Sequence, residues 1–133
     1  MPPPDLLHRH AIVLACAYFR ARFFYVEKTQ SREDHQGYHL IAHRAKDRVT
    51  IVVKAAKCRW GIPDLEKEEV TESSRLAADF LLVACPRHKR GYVLLIPRDA
   101  ITPEHLTPSN RGAWRIRTTL ANPKSLSLFL HPI

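Results

Sequence analysis

Glycine is scarce in this chain of 133 residues, with four in all, and cysteine is scarcer, with three. So few glycines leave no Gly-rich loop of the kind that cradles phosphates, which argues against nucleotide-driven chemistry. Cys16, Cys58 and Cys85 are widely spaced, odd in number and without a CxxC pair. Neither a disulfide framework nor a zinc knuckle is expected from them, and a reducing cytoplasm is the expected setting. Long apolar runs are missing as well. The longest, Ala11 to Phe19, falls well short of the roughly 20 residues that a bilayer span needs. Asp5, His8, Arg9 and His10 precede it, and Arg20 and Arg22 follow without a small-residue cleavage pattern. It reads as a buried helix rather than a signal peptide, in a soluble protein. There is no GxSxG setting for a nucleophile, no internal repeat and no low-complexity tract.

What the chain has is apolar content and positive charge. Apolar residues make up 45%, too many for a disordered chain, and the length suits one domain with a real core. A single domain over 1–133 is expected, with a core of about 5–100 and a strand extension over 101–133. The 21 Lys and Arg against 13 Asp and Glu give a net charge of +8. The charge is uneven: Asp64 to Asp79 holds six acids against Lys67 and Arg75, a net of −4, which leaves +12 on the rest. A basic body of this kind is the electrostatic footprint of a polyanion binder, although a basic surface kept for solubility has the same composition.

Periodicity and residue type sketch the elements. Pro2 to Pro4 form a stiff lead-in, Asp5 is placed to cap, and Leu6 to Arg20 reads as a helix apolar on more than one face, pressed on a sheet and partly covered elsewhere. Arg22 to Lys28 switches to aromatic and β-branched types, as strands do. Tyr38 to His43 and Arg48 to Ala55 form a hairpin around Ala45, Lys46 and Asp47. Lys57 to Ser74 reads as half helix and half loop. Ala78 to Cys85 and Tyr92 to Ile96 are the next strands, then a short helical piece between prolines, then strands at Trp114 to Thr119 and Ser125 to Leu130. Helices set at particular points of a mostly antiparallel sheet predict an α+β, mixed α/β layer fold. Ile51, Val53, Phe80, Leu82 and Leu94 are its expected core.

Lys54 is the oddity, a cation at the end of the run Ile51, Val52, Val53. Either its charge reaches water at the sheet end, or it faces a site that needs a cation. His35, His39 and His43 repeat every four residues, but in a strand that spacing spans about 13 Å, too far for two of them to share an ion. No metal site is expected from them. The cations lie in clusters: Lys57 and Arg59 beside Trp60, Arg87, Lys89 and Arg90 in one turn, and Arg115 and Arg117 beside Trp114. These are the expected nucleic-acid contacts, since Lys and Arg meet phosphates while an aromatic offers a stacking face. Each of the two tryptophans is more often a core or hairpin anchor than a base-stacking platform.

The words YHLIA, TIVVKAA, AADFLLVAC and YVLLIP, in this order after a helix, resemble the PD-(D/E)xK nuclease superfamily, most of all its small bacterial and intron-encoded members. The resemblance implies a restriction-endonuclease-like fold, with the N-terminal helix on a central mixed sheet. It places Lys54 at the family's catalytic lysine. It also puts Val52 where the family has Glu or Gln, and His39 where it has the metal-binding Asp. The helix, which often supplies a Glu, has none between Leu6 and Arg20. As aligned, no magnesium is expected, because that cation wants oxygen ligands. Three functions follow from this reading. The first is a catalytically degenerate nucleic-acid-binding domain, with DNA as the first expected partner and RNA the second. Another is an active magnesium endonuclease whose ligands have migrated, with Glu33, Asp34, Asp47 or Asp79 filling in. The last is an interaction subunit of a DNA-handling or defence complex, meeting a protein partner or a second copy of itself through residues 64–72.

Overall fold

Proline loses little at the first turn of a helix, where its missing N–H would have no partner and its ring presets φ. The computed structural model describes residues 4–28, 38–56, 65–66, 69–71, 75–84, 92–101, 106–108, 114–116 and 130–132. Its first element, α1 (Pro4–Arg20), opens on such a proline. Asp5 therefore lies inside the first turn rather than at the cap. Ala11, Ala15, Cys16, Tyr18 and Phe19 are buried and recur at the spacing of one helical face. The other apolar face is more open than expected, with Val13 60% exposed.

The helix closes with two bonds, Phe24 N–H to the Phe19 carbonyl at 3.1 Å and Phe23 N–H to the Arg20 carbonyl at 3.0 Å. This pair is the Schellman arrangement, which places one residue in the left-handed region. Here that residue is Phe23, at φ 66°. The turn delays the strand expected from Arg22, so β1 (Tyr25–Lys28) is only four residues long.

β2 (Leu40–Arg44) and β3 (Asp47–Ala55) form the expected hairpin, closed by Ala45 and Lys46 between the paired Arg44 and Asp47. β4 (Phe80–Ala84), β5 (Tyr92–Pro97) and β8 (Leu130–Pro132) complete a six-stranded sheet in the order β1-β2-β3-β4-β5-β8. β3 and β4 are parallel, while every other neighbouring pair in it is antiparallel. This is the expected α+β fold, a helix on a mixed sheet. β6 (Leu106–Pro108) and β7 (Trp114–Ile116) pair separately. Three readings are corrected in detail. The helical piece is a single 3-10 turn, Arg98–Ala100. The last strand extends to Pro132, past its expected end at Leu130, and residues 125–129 lie outside the described residues. Among the described residues of 57–74 there is no α-helix: Glu69 lies in a 3-10 turn and Val70 forms an isolated bridge with Leu76.

A parallel pair needs a crossover connection, so β3 and β4 are covered on both faces and their side chains form near-continuous apolar runs. On one face α1 packs against Leu40, Ile51, Val53 and Leu82. On the other, Val52, Leu81, Leu94 and Ile96 meet Leu65, Val70, Leu76 and Ile101. Ile51, Val53, Leu82 and Leu94 are fully buried as expected. Phe80 is only half-buried, because it opens β4 at the sheet end. No helix among the described residues is long and apolar enough to cross a membrane.

Candidate functional site

Strand alternation sends Ile51 and Val53 toward α1, and Val52 and Lys54 to the opposite face. Val52 takes its place there in the apolar cluster, with no exposed surface. It stands where the nuclease resemblance implies a carboxylate, and it has no polar atom to offer. Lys54 comes next on that face, its side chain 13% exposed and its Nζ 2.7 Å from Oε1 of Glu69. The lysine therefore does not reach out to water at the sheet end. It faces a carboxylate.

Glu69 is fully buried, and its surroundings explain how. Leu65, Val70 and Leu76 anchor its segment on the sheet. The Glu69 N–H donates to the Glu66 carbonyl at 3.0 Å, and its Oε1 accepts the Glu66 N–H at 2.6 Å. This reciprocal pair has the logic of a capping box, in which the acid closes its own turn. Ala77 N–H then binds the Glu69 carbonyl at 2.9 Å. One carboxylate is thus fastened to the backbone of its own segment and to a cation on the neighbouring strand.

His39 stands just before β2. Its N–H donates to the Ile51 carbonyl at 2.8 Å, and its Nδ1 accepts the Val53 N–H at 2.9 Å. The ring thereby supplies an acceptor to β3 beyond the point where β2 begins. An imidazole that accepts at Nδ1 carries its hydrogen on Nε2, so neither nitrogen retains a lone pair for a metal. Nε2 lies 3.9 Å from Glu69 Oε2, too long for a hydrogen bond. From α1, His8 sets its ring against His39 with centroids 4.7 Å apart, at 67°.

Sequence reading brought together Lys54, Val52 and His39, and the structure does place all three at one end of β3. It missed Glu69 and His8. Glu69 had been counted with the acidic surface of residues 64–72, and the one hint against that was its place between Leu65 and Val70. His8 lies on α1, the helix from which the resemblance implies a glutamate. Of the migrated ligands considered, Asp79 is tied elsewhere. Its Oδ2 accepts from Thr50 N–H at 2.8 Å and from Thr50 Oγ1 at 3.2 Å, and its Oδ1 accepts from Arg98 at 3.1 Å. Thr50 is four strand residues from Lys54, about 13 Å away. Asp47 is exposed in the hairpin, and Glu33 and Asp34 lie outside the described residues. So do Lys57, Arg59, Arg87, Lys89, Arg90 and Arg117. Arg115 is described only as a strand residue, opposite Thr107.

Magnesium prefers an octahedron of oxygens. The described residues here offer one carboxylate, already bound by an ammonium and an N–H, together with two imidazoles and an apolar side chain. That donor set does not fit the ion. Among the described residues, no three His, Cys, Asp or Glu are grouped so that they could hold any metal.

No protein-family model matches the chain, and no curated protein matches it. Among solved structures it is similar to Hjc, a Holliday junction resolvase from the archaeal hyperthermophile Archaeoglobus fulgidus. The superposition covers 80% of this chain and 87% of that one, at 14% identity and a TM-score of 0.48.

Proposed function

We propose that the chain is a nucleic-acid-binding domain on a nuclease-like scaffold, whose family lysine has become half of a structural ion pair. The observation that carries this reading is the contact between Lys54 and the fully buried Glu69 at 2.7 Å. A lysine that polarises an attacking water must be free to face it, and this one is held by an anion with no exposed surface. The valine at position 52 and the His39 ring, committed at Nδ1, remove the other two family ligands. The net charge of +8 supports a polyanion as the partner. A protein partner meeting residues 64–72 has one acid fewer to meet than the sequence suggests, since Glu69 is turned inward.

Two assays test this. Supercoiled plasmid should stay intact with magnesium or manganese. Nicking that Lys54→Ala abolishes would mean that carboxylates elsewhere complete an active centre. Titration of a labelled duplex at several salt concentrations should show binding with a log–log slope of about −4.5 if five cations neutralise phosphates. Reversal of Arg87, Lys89 and Arg90 to Glu should weaken binding to every sequence alike, because phosphate contacts carry no sequence information. Absence of binding even at low salt would leave the interaction-subunit reading.

A further inference from the structure

The opposite end of β3 holds a second feature that the nuclease resemblance does not use. A cleft of about 500 Å³ opens there on the α1 face of the sheet. Arg48 is six strand residues from Lys54, about 20 Å, so this cleft is remote from the Lys54 site. Arg22, Arg44, Lys46 and Arg48 line it, and Asp47 is the one acid among the lining residues. Its walls include Tyr18, Phe24 and Phe80.

Two of the cations are held in position by the aromatic walls. The Arg22 guanidinium lies over the Tyr18 ring at 3.7 Å and donates to the Tyr18 carbonyl at 2.9 Å. The Arg44 guanidinium lies over Phe24 at 4.5 Å, with Nη1 3.4 Å from the Arg22 carbonyl. A guanidinium carries five N–H donors, so the one carbonyl leaves most of the Arg44 fork for an anion.

Phe23 lies in the chain between Arg22 and Phe24, which both line this cleft, and is 88% exposed at φ 66°. A bulky residue in the left-handed region is an outlier, and glycine is the usual occupant of this position in a Schellman turn. The ring recovers almost nothing by packing, so folding gives no reason for a phenylalanine here.

We infer that this cleft and Phe23 form a binding site for single-stranded nucleic acid, with an unpaired base on the exposed Phe23 ring and its phosphates on the arginines and Lys46. The inference rests on the nucleic-acid reading above and specifies a strand type for it. Phosphate alone would need the cations and not the rings. In a duplex the base faces are hidden in the stack, whereas an unpaired nucleotide presents a π-face and a phosphate together. The volume lies in the range that encloses a small ligand.

The test uses the full chain and a labelled oligothymidylate, with a duplex of equal length and a mononucleotide as further probes. Phe23→Gly should weaken the single strand by about five- to a hundredfold, the effect of losing one stacking partner. The same change should raise the melting temperature by roughly a few degrees, because glycine relieves the left-handed strain. A loss of affinity in a more stable protein cannot come from damage to the fold. Tyr25 is also an exposed aromatic, at 68%, but alternation sends it with its partner His43 to the other face, so Tyr25→Ser should leave affinity unchanged. Arg44→Ala with Lys46→Ala should flatten the single-strand salt slope by about 1.4. Unchanged single-strand binding by Phe23→Gly, with duplex binding intact, overturns this inference and leaves the general reading standing. So does equal loss with Tyr25→Ser, displacement by an acidic peptide of matched charge, or binding of the mononucleotide as tightly as the strand. Loss of both strand types in the wild-type chain overturns the two readings together.

Discussion

Removing Lys54 should cost this fold more than removing the carboxylate it meets. In Lys54→Met, Glu69 keeps its place with no exposed surface and loses the cation at 2.7 Å. Breaking a buried pair in this way typically costs about 3–5 kcal/mol, because a buried charge is left uncompensated. At about 2.1 cal/mol/K per residue, the 133 residues have an unfolding entropy of about 0.28 kcal/mol/K. The melting temperature should therefore fall by roughly 11–18 °C. Glu69→Gln is milder. The amide oxygen still accepts the Glu66 N–H, and Lys54, with 13% of its side chain already exposed, has a path to water. A loss of about 1–3 kcal/mol is expected there. The double variant Lys54→Met with Glu69→Leu removes both charges and should regain most of the loss, as replaced buried pairs often do. Urea denaturation of the wild type, Lys54→Met, Glu69→Leu and their double variant gives the coupling energy, expected to exceed about 1 kcal/mol. Single effects that add to within about 0.5 kcal/mol would show that the two groups do not act as a pair, and would remove the structural role assigned to Lys54.

Two further outcomes follow from the other end of the sheet. Asp79→Ala deletes acceptors used by Thr50 and Arg98 and should destabilise by about 1–3 kcal/mol, read as a lower urea midpoint, since it leaves the partly buried Thr50 N–H unpaired. Ala45 opens the two-residue hairpin at φ 52°, so Ala45→Gly should be neutral or raise stability by up to about 1 kcal/mol, whereas Ala45→Val should lower the midpoint measurably.

Local chemistry in the chain was enough to give the helix, the hairpin and the central strands. Leu6 to Arg20 has no residue that breaks a helix, and the runs at Ile51–Val53 and Leu81–Ala84 are apolar on successive positions, as strands covered on both faces must be. These are signals of short range, and they survived in the structure with shifts of a few residues. The largest shift, at Arg22 to Phe24, came from a left-handed turn at a phenylalanine, where residue type argues for a strand and no glycine marks the turn. Lys54, Val52 and His39 could be placed at one strand end because strand spacing is regular. Which acid meets Lys54 could not be read in this way. Glu66, Glu68, Glu69 and Glu72 are chemically alike and stand in one segment. Glu69 alone of the described acids there is turned inward, because Leu65, Val70 and Leu76 bind that segment to a sheet face tens of residues away in sequence. The same holds for the aromatic cleft, whose cations come from the end of α1 and from the β2–β3 hairpin. Such contacts depend on how distant elements pack, and burial then gives Glu69 a different chemistry from the exposed Glu66 of the same segment.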